Sequence, residues 1–485
     1  MTSHDPSGSI MSRLEKATFW HICIYLVGAS WMFGGNIHWA KIPLGIWGTL
    51  GASITIAAWV QSPRRRKRYL LALTPFLILN GLVLLSTFNP SFQEFSFYET
   101  TSLRPTDHNP NLPSTARPGF TLRELWIYDG FYLAAFNLFL AVRHRPVLRR
   151  IATVAAINAA VLAVFGTIQK FAATDIFFGL EKAPNHTFFA SFLYHNHWGA
   201  FGVLTAALGV GLAARSLSAD HHRDIWHSPV FAALLPILLI TVSVPLSSSR
   251  SSTLLVLALG MATGAYLIRF LLQRTRHRPM ARWGGITAVM LVGLVILGGA
   301  YGLARPVIET RVKQTIDQLK RQNHYAFRES DQVYYGDSRM KLYEDTIRMA
   351  RDKPWFGWGF GSYGAVFMRY NSQSTSMEGR SFFFNDAHSD WLEAWAELGI
   401  AGGACLLGMF IFPLREAGSR LFRESISGFW ILGAGMIAVY ALIEFPFANP
   451  AVALTFWCTL FLACRHASLV AESSTRHRKT QHSNV

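Results

Sequence analysis

The sequence predicts an all-α integral membrane protein, and three observations support this fold class. Hydrophobic residues make up 51% of the 485-residue chain and charged residues only 15%, and the mean hydropathy is positive. The apolar residues are clustered in stretches of about 20 residues, the length at which a helix crosses a hydrocarbon core of roughly 30 Å. The lysines and arginines, which give the chain a net charge of +17, lie mostly in short segments between these stretches.

Twelve apolar stretches predict about twelve transmembrane helices. The first nine fall within residues 1–305, which also contain an external loop at 89–123 that is rich in Pro, Ser, Thr and Asn and is predicted to be irregular. A large, structured periplasmic loop follows at 306–392, helices 10 to 12 occupy 393–466, and a basic cytoplasmic tail ends the chain at 467–485. The stretches lie at about 17–35, 42–60, 69–88, 124–142, 151–171, 188–213, 229–247, 252–272, 284–304, 393–413, 427–444 and 448–465.

The distribution of basic residues predicts the orientation. With both termini in the cytoplasm, each basic cluster lies on the cytoplasmic side, as the positive-inside rule requires, and both long loops lie outside. The isoelectric point of about 10.0 is also typical of nucleic-acid-binding proteins, but no soluble basic domain remains to bind nucleic acid. The clusters lie at 64–68, 143–150, 273–282, 414–423 and 476–479.

The cysteines and the N-terminus limit the possibilities further. Cys23, Cys405, Cys458 and Cys464 all fall inside predicted membrane helices, so we expect neither a disulfide framework nor a zinc site. The first apolar run, from about Ala17, lacks a convincing small-residue cleavage site. This favours an uncleaved first helix over a removed signal peptide.

The stretch FFFNDAHSDWLEAWAELGIAGG carries a histidine and four acids at the entrance to an apolar segment. Wound as a helix of about 100° per residue, it places Asp386, Asp390, Glu393 and Glu397 on one stripe and His388 on the opposite side. We expect the stripe to face water or basic partners in the large loop, Asp386 to cap the helix start, and His388 to point into the bundle. A titratable ring there suits a proton acceptor; a hydrogen-bonded packing histidine is the alternative.

The stretch VSVPLSSSRSSTLL places an arginine in a tight external turn, against the positive-inside bias. The guanidinium of Arg250 can hold a phosphate through two parallel hydrogen bonds, and Ser249 and Ser251 can add donors. An arginine that reaches the lipid headgroups is the alternative. Arg339 is the corresponding candidate in the large loop, and Glu444, in the last external turn, is a candidate partner for one of the two arginines.

Two further patterns contain candidate binding groups. His195, Asn196 and His197 lie near the external end of an apolar run, where polar side chains either bind a substrate or brace the bundle. Two histidines at i and i+2 point away from each other on a helix, so a shared metal is not expected. The turn GWGFGSYG predicts either a phosphate cradle of backbone N–H groups or a simple tight turn.

Together these motifs resemble those of the O-antigen ligase and polymerase superfamily, bacterial membrane proteins that handle lipid-linked sugars. The matching pieces occur in the family's order over roughly 185–450, and the first 180 residues match only in being hydrophobic helices. The pieces are NHWGAF, SSSRSS, the block that runs from Arg339 through DKPWFGWGFGSY, AHSDWLEAWAELGIAGG, and EFPFANP.

The resemblance implies a bacterial inner-membrane glycosyltransferase with a GT-C-like bundle and without a nucleotide sugar, a metal or another cofactor. Its donor would be a glycan on undecaprenyl diphosphate at the periplasmic face, and its acceptor lipid A core, another glycan or a protein. Transfer would invert the anomeric centre. Carried over to this chain, Arg250 and Arg339 would bind the leaving diphosphate, and His388 would act as the base.

One departure from the family concerns the residue after this histidine, which is often Asn and here is Ser389. A serine hydroxyl can also hydrogen-bond an acceptor, so the identity of the acceptor stays open. Two other functions compete with transfer. Secondary transporters also have about twelve helices, but usually with inverted repeats and broken helices at the midplane. A lipid-linked-sugar flippase predicts charges along a central cavity. The polar residues here gather at the external side, which favours the transferase.

Overall fold

The computed structural model confirms the all-α class. It describes residues 11–63, 66–97, 100–172, 176–177, 181–182, 188–219, 229–276, 338–372 and 384–482, with isolated residues and short pieces between 280 and 302. The helices are α1 Arg13–Trp31, α2 His38–Val60, α3 Arg66–Thr87, α4 Pro118–Ala141, α5 Arg145–Phe171, α6 His195–Ala219, α7 Pro229–Leu246, α8 Arg250–Arg274, α9 Ser338–Asp352, α10 Tyr363–Phe367, α11 Asp390–Ala417, α12 Ser425–Tyr440 and α13 Pro450–His482.

Eleven of the twelve predicted apolar stretches coincide with these helices; the twelfth, at 284–304, lies mostly outside the described residues. Seven of the described helices are long and apolar enough to cross a membrane, and two more are apolar but shorter. The count of about twelve spans and the domain boundaries therefore stay predictions. No change in secondary structure marks the predicted start of the tail at 467, because α13 continues as helix to His482.

The first external loop is partly regular, although the sequence predicted it to be irregular. Strands β1, Phe92–Phe97, and β2, Thr100–Pro105, form an antiparallel hairpin. A second, minimal hairpin joins β3, Ile176–Phe177, and β4, Glu181–Lys182. In the large loop, α9 is the helix that the recurrence of Met340, Tyr343 and Ile347 predicts.

Small residues allow the helices to approach closely. A Cβ atom on Gly48 of α2 would lie 2.8 Å from the Cα atom of Gly130 in α4, and a Cβ on Gly433 of α12 would lie 2.5 Å from the Ala207 side chain of α6. Helix association in lipid relies on such close packing, because lipid tails are as apolar as the side chains themselves. Asn137 adds polar contacts by donating to the Gly51 carbonyl at 2.9 Å and accepting from Thr55 at 2.8 Å.

Helix α11 is interrupted at Gly399, whose backbone (φ +63°, ψ −169°) is not helical. The interruption removes the helical partners of carbonyl groups before Gly399 and of amides after it. Such groups are costly to leave buried and unpaired. The segment 354–359 of the large loop pairs them. The four hydrogen bonds run from Trp358 N to Ala396 O (2.9 Å), Gly359 N to Glu397 O (2.8 Å), Ile400 N to Pro354 O (2.8 Å) and Ala401 N to Trp355 O (3.0 Å).

This arrangement predicts that Gly399→Ala destabilises the protein. The left-handed φ costs a residue with a side chain about 1–3 kcal/mol, and the new Cβ would lie 2.3 Å from the Trp355 carbonyl carbon, so the loop must move away. We expect a lower melting temperature and faster protease cleavage within 353–363. Gly403→Ala is the matched control, because nothing lies within 4 Å of a Cβ there. Equal melting temperatures for the two variants would contradict the prediction.

Candidate functional site

Five segments far apart in the sequence meet at one end of the bundle. They are the N-terminus of α6, the turn before α8, the start of α9, the residues just before α11, and the turn between α12 and α13. Together with the first two residues of α8, these segments contain the histidines, arginines and serines, Asn196 and Glu444 that the sequence predicts as site residues. The site is described from its centre, Glu444, outward.

Glu444 connects the histidine and one of the arginines. Arg339 Nη2 donates to Glu444 Oε1 at 2.8 Å, so the arginine pairing expected for Glu444 is present. His388 Nδ1 lies 3.8 Å from Glu444 Oε2, which is an ion-pair distance but too long for a hydrogen bond. The Glu444 side chain is only 3% exposed, whereas Arg339 is 52% and His388 26% exposed. A buried carboxylate thus holds two groups that remain open to a ligand.

The charges of this cluster support one another. Burial alone would raise the pKa of the Glu444 carboxyl, but His388 and Arg339 lower it more, so the pKa lies below its ordinary value. Burial would likewise lower the pKa of Arg339, but the Glu444 carboxylate raises it overall. The site therefore keeps a charged carboxylate and a charged guanidinium side by side at neutral pH.

His388 precedes α11 and does not belong to it. Its φ of +53° cannot continue a helix, and Ser389 caps the helix by accepting from Leu392 N. The prediction that Asp386 caps the helix start is therefore wrong. Tyr343 Oη donates to the His388 carbonyl at 3.0 Å, and the imidazole meets the ring of Phe445 edge-on at 4.5 Å. These contacts turn His388 towards the Glu444 turn.

Acids of the predicted stripe bind backbone amides, a role that the sequence pattern alone does not predict. Asp390 Oδ2 accepts from Phe447 N at 2.9 Å, and Glu393 Oε2 accepts from Ala387 N at 2.8 Å. The carboxylates of the stripe thus anchor backbone segments on either side of α11. The helix begins only at Asp390, so Asp386 lies outside the helical part of the stripe.

Glu397 accounts for the glycine-rich turn. Its two carboxylate oxygens accept from Gly361 N at 2.8 Å and from Tyr363 N at 2.7 Å. Two backbone amides that could have held a phosphate therefore hold a carboxylate of the same chain. Of the two interpretations left open for GWGFGSYG, the structure supports the tight turn.

Several of the proposed binding groups brace the site from within. Ser249 Oγ donates to Asn196 Oδ1 at 2.6 Å, and Asn196 Nδ2 donates to Tyr194 Oη at 2.8 Å. His197 Nε2 lies 3.2 Å from the Phe445 carbonyl oxygen. Ser249, Asn196 and His197 are buried, so they position the walls of the site, which was one of the two roles left open for this motif. His195, at the first position of α6, is partly exposed.

Arg250 is exposed at the first position of α8. Its neighbours fix the turn that presents it: Ser249 caps α8 by accepting from Ser252 N, and Ser251 Oγ lies 3.2 Å from Tyr440 Oη. Tyr440 ends α12, immediately before the turn that carries Glu444. The structure thereby connects the turn of Arg250 to the turn of Glu444.

Sequence reasoning missed four aromatic residues of the site. Phe445 contacts the rings of His388, His197 and Tyr194, and the hydroxyl groups of Tyr194, Tyr343 and Tyr440 join the segments described above. Phe445 follows Glu444 directly and could have been noticed for that reason. Tyr194 directly precedes His195, whereas Tyr343 and Tyr440 have no such signal, because their partners are distant in the chain.

The pKa of Glu444 predicts a pH-dependent contribution to stability. A carboxyl group whose pKa is lowered by folding stabilises the protein above its unfolded-state value, 4.5, and the stabilisation is lost as the pH falls through the folded-state value. We expect Glu444→Gln to lower the melting temperature at pH 7, with a difference that begins to shrink near pH 4.5 and disappears only when the pH falls below the folded-state pKa. Glu344→Gln, an exposed acid on α9, is the control. A pH-independent difference would contradict the assignment.

Comparison with known families agrees with the motifs. Residues 235–407 match the family model described as O-antigen ligase. The matched region contains the Arg250 turn, α9, the glycine-rich turn and the His388 segment; the α6 motif and Glu444 lie outside it. A search of the curated proteins gives no match.

Proposed function

We propose that this protein, a multi-pass membrane protein of the O-antigen ligase family, transfers a glycan from undecaprenyl diphosphate to an acceptor hydroxyl on the periplasmic face of the bacterial inner membrane. The observation that carries the proposal is the Glu444 cluster. It holds a titratable imidazole and a half-exposed guanidinium around one buried carboxylate, which are the two kinds of group that this transfer needs.

The proposed reaction is a single displacement. The acceptor hydroxyl oxygen forms a bond to the anomeric carbon while the bond from that carbon to the diphosphate oxygen breaks. The hydroxyl proton passes to the base, and undecaprenyl diphosphate leaves with the bonding electron pair. Attack from the face opposite the leaving group inverts the anomeric centre.

His388 is the proposed base. Its ring is partly exposed, and its backbone is held by Tyr343. A nearby carboxylate stabilises the imidazolium that forms when the ring accepts a proton, as in other histidine–carboxylate pairs. The 3.8 Å separation of His388 Nδ1 and Glu444 Oε2 can close to a hydrogen bond by a small movement once the ring is charged. Glu444 then acts as a positioning residue.

Arg339 and Arg250 are the proposed diphosphate ligands. A guanidinium has five N–H donors, and Arg339 uses Nη2 for Glu444, so other N–H groups remain for phosphate oxygens. Negative charge increases on the diphosphate as the glycosidic bond breaks. Fixed cations at that position therefore stabilise the transition state more than the ground state.

The transporter and flippase alternatives receive less support. Helix α11 is interrupted, as transporter helices often are, but backbone groups on both sides of Gly399 are paired with the large loop instead of facing a substrate or an ion. The family match also favours transfer. The acceptor (lipid A core, another glycan or a protein) determines whether the enzyme is a ligase or a polymerase, and membrane lipids are its other partners.

Removal of the proposed base, His388, should strongly lower the rate of turnover. With purified protein, undecaprenyl-diphosphate-linked glycan and the acceptors tested in turn, we expect His388→Ala to lower acceptor-dependent release of undecaprenyl diphosphate by about 10²- to 10⁴-fold. Glu344→Ala, on the exposed face of α9, should match the wild type. If His388→Ala turns over at the wild-type rate, another group is the base.

A measurement of product binding should distinguish the role of the arginines from that of His388. We expect Arg339→Ala and Arg250→Ala each to weaken the binding of undecaprenyl diphosphate by roughly 10- to 100-fold, the value of a hydrogen bond to a charged group. His388→Ala should bind this product as the wild type does. Unchanged affinity in both arginine variants would show that the diphosphate binds elsewhere.

A further inference from the structure

A cleft of about 890 Å³ lies near the Glu444 cluster and has Asp386 in its lining. Its walls come from α2, α4, the hairpin of β1 and β2, the glycine-rich turn and the start of α11. Its volume is within the range of small-molecule sites, about 300–1,000 Å³. The diphosphate site proposed above does not use it.

The cleft is lined by charged groups of both signs. Lys41 Nζ pairs with Glu124 Oε1 at 2.6 Å, and Arg117 Nε pairs with Glu94 Oε1 at 2.8 Å. These pairs present donors and acceptors on the side formed by α2, α4 and β1. Both pairs are neutral overall, so they give the cleft polarity without net charge.

The opposite wall adds an excess of carboxylates. Asp386, Glu393 and Glu397 line it, with Arg369 as a further cation. Glu393 and Glu397 are partly committed to backbone amides. Asp386 makes no hydrogen bond to another described residue, and its charged neighbours are His388 and Lys41.

This lining selects the chemistry of the ligand. A hydrocarbon chain would leave the charged groups desolvated without new partners, which is costly. A phosphate would meet three cations, of which Lys41 and Arg117 are already paired with carboxylates. An uncharged saccharide fits both walls, because each hydroxyl donates to a carboxylate and accepts from a lysine or arginine.

The position of the cleft selects the role of the ligand. Asp386 lines the cleft, Ala387 is buried and donates to Glu393, and His388 faces Glu444 on the other side. Only one residue, Ala387, therefore separates Asp386 in the carboxylate wall from the proposed base His388. The described lining of the cleft includes Asp386 but neither Arg339 nor Glu444.

We infer that this cleft binds the acceptor and that the acceptor is an uncharged, hydroxyl-rich glycan. Its reactive hydroxyl reaches His388 by passing Asp386, which lines the cleft. The inference rests on the proposed function, and it assigns the two substrates to opposite sides of the segment 386–390. The diphosphate of the donor lies with the arginines, and the sugar rings of the acceptor lie with the carboxylates.

The test is the separation of the two Michaelis constants in the release assay. We expect Asp386→Leu to raise the KM for the acceptor about tenfold while the KM for the lipid-linked donor and the kcat stay within about twofold of wild type. Asp386→Asn, which retains the shape and one acceptor oxygen, should recover part of the loss. Asp107→Leu, an exposed acid in the first external loop, is the control. Inorganic pyrophosphate should compete with the donor and not with the acceptor.

The possible failures are distinguishable. If the wild type releases no undecaprenyl diphosphate with any acceptor, the proposed function fails and the acceptor assignment with it. If the wild type is active but Asp386→Leu and Asp386→Asn leave the acceptor KM unchanged, or alter the donor KM equally, the cleft assignment alone is wrong. Competition between pyrophosphate and the acceptor would likewise overturn it.

Discussion

The site depends on the pairing between the large loop and the interrupted start of α11. Gly399 opens the helix, the segment 354–359 pairs the backbone groups on both sides, and Glu397 fixes the following turn through two amides. Because this ladder is made of backbone hydrogen bonds beside an apolar helix, unpairing it would be costly. The pairing holds α9, which packs on α11, and thereby brings Arg339 to Glu444.

Charge is divided between two sides of the same short segment. On one side, Glu444 keeps Arg339 and His388 together while remaining almost completely buried. On the other, carboxylates outnumber cations in the cleft beside Asp386. In the proposed reaction, this difference would direct the anionic donor and the neutral acceptor to different places before any specific contact with a sugar is made.

Many residues of the site do not face a ligand and instead hold a few exposed groups in place. Ser249, Asn196 and Tyr194 form a hydrogen-bonded chain between α6 and the turn before α8. Phe445 packs against the imidazole of His388. Such a second layer restricts the orientation of groups that must meet a reacting atom, and this restriction is what preorganisation contributes to catalysis.

The sequence by itself determined the membrane class, eleven helices and the polar motifs, because 20-residue apolar runs and isolated polar residues are local signals. The helix start at Asp390, the backbone anchoring by Glu397 and the pairing of Arg339 with Glu444 were decided by the tertiary structure. A left-handed residue such as His388 and a carboxylate that binds distant amides have no periodic pattern. Arg339 and Glu444 are 105 residues apart in the chain, and only folding brings them together.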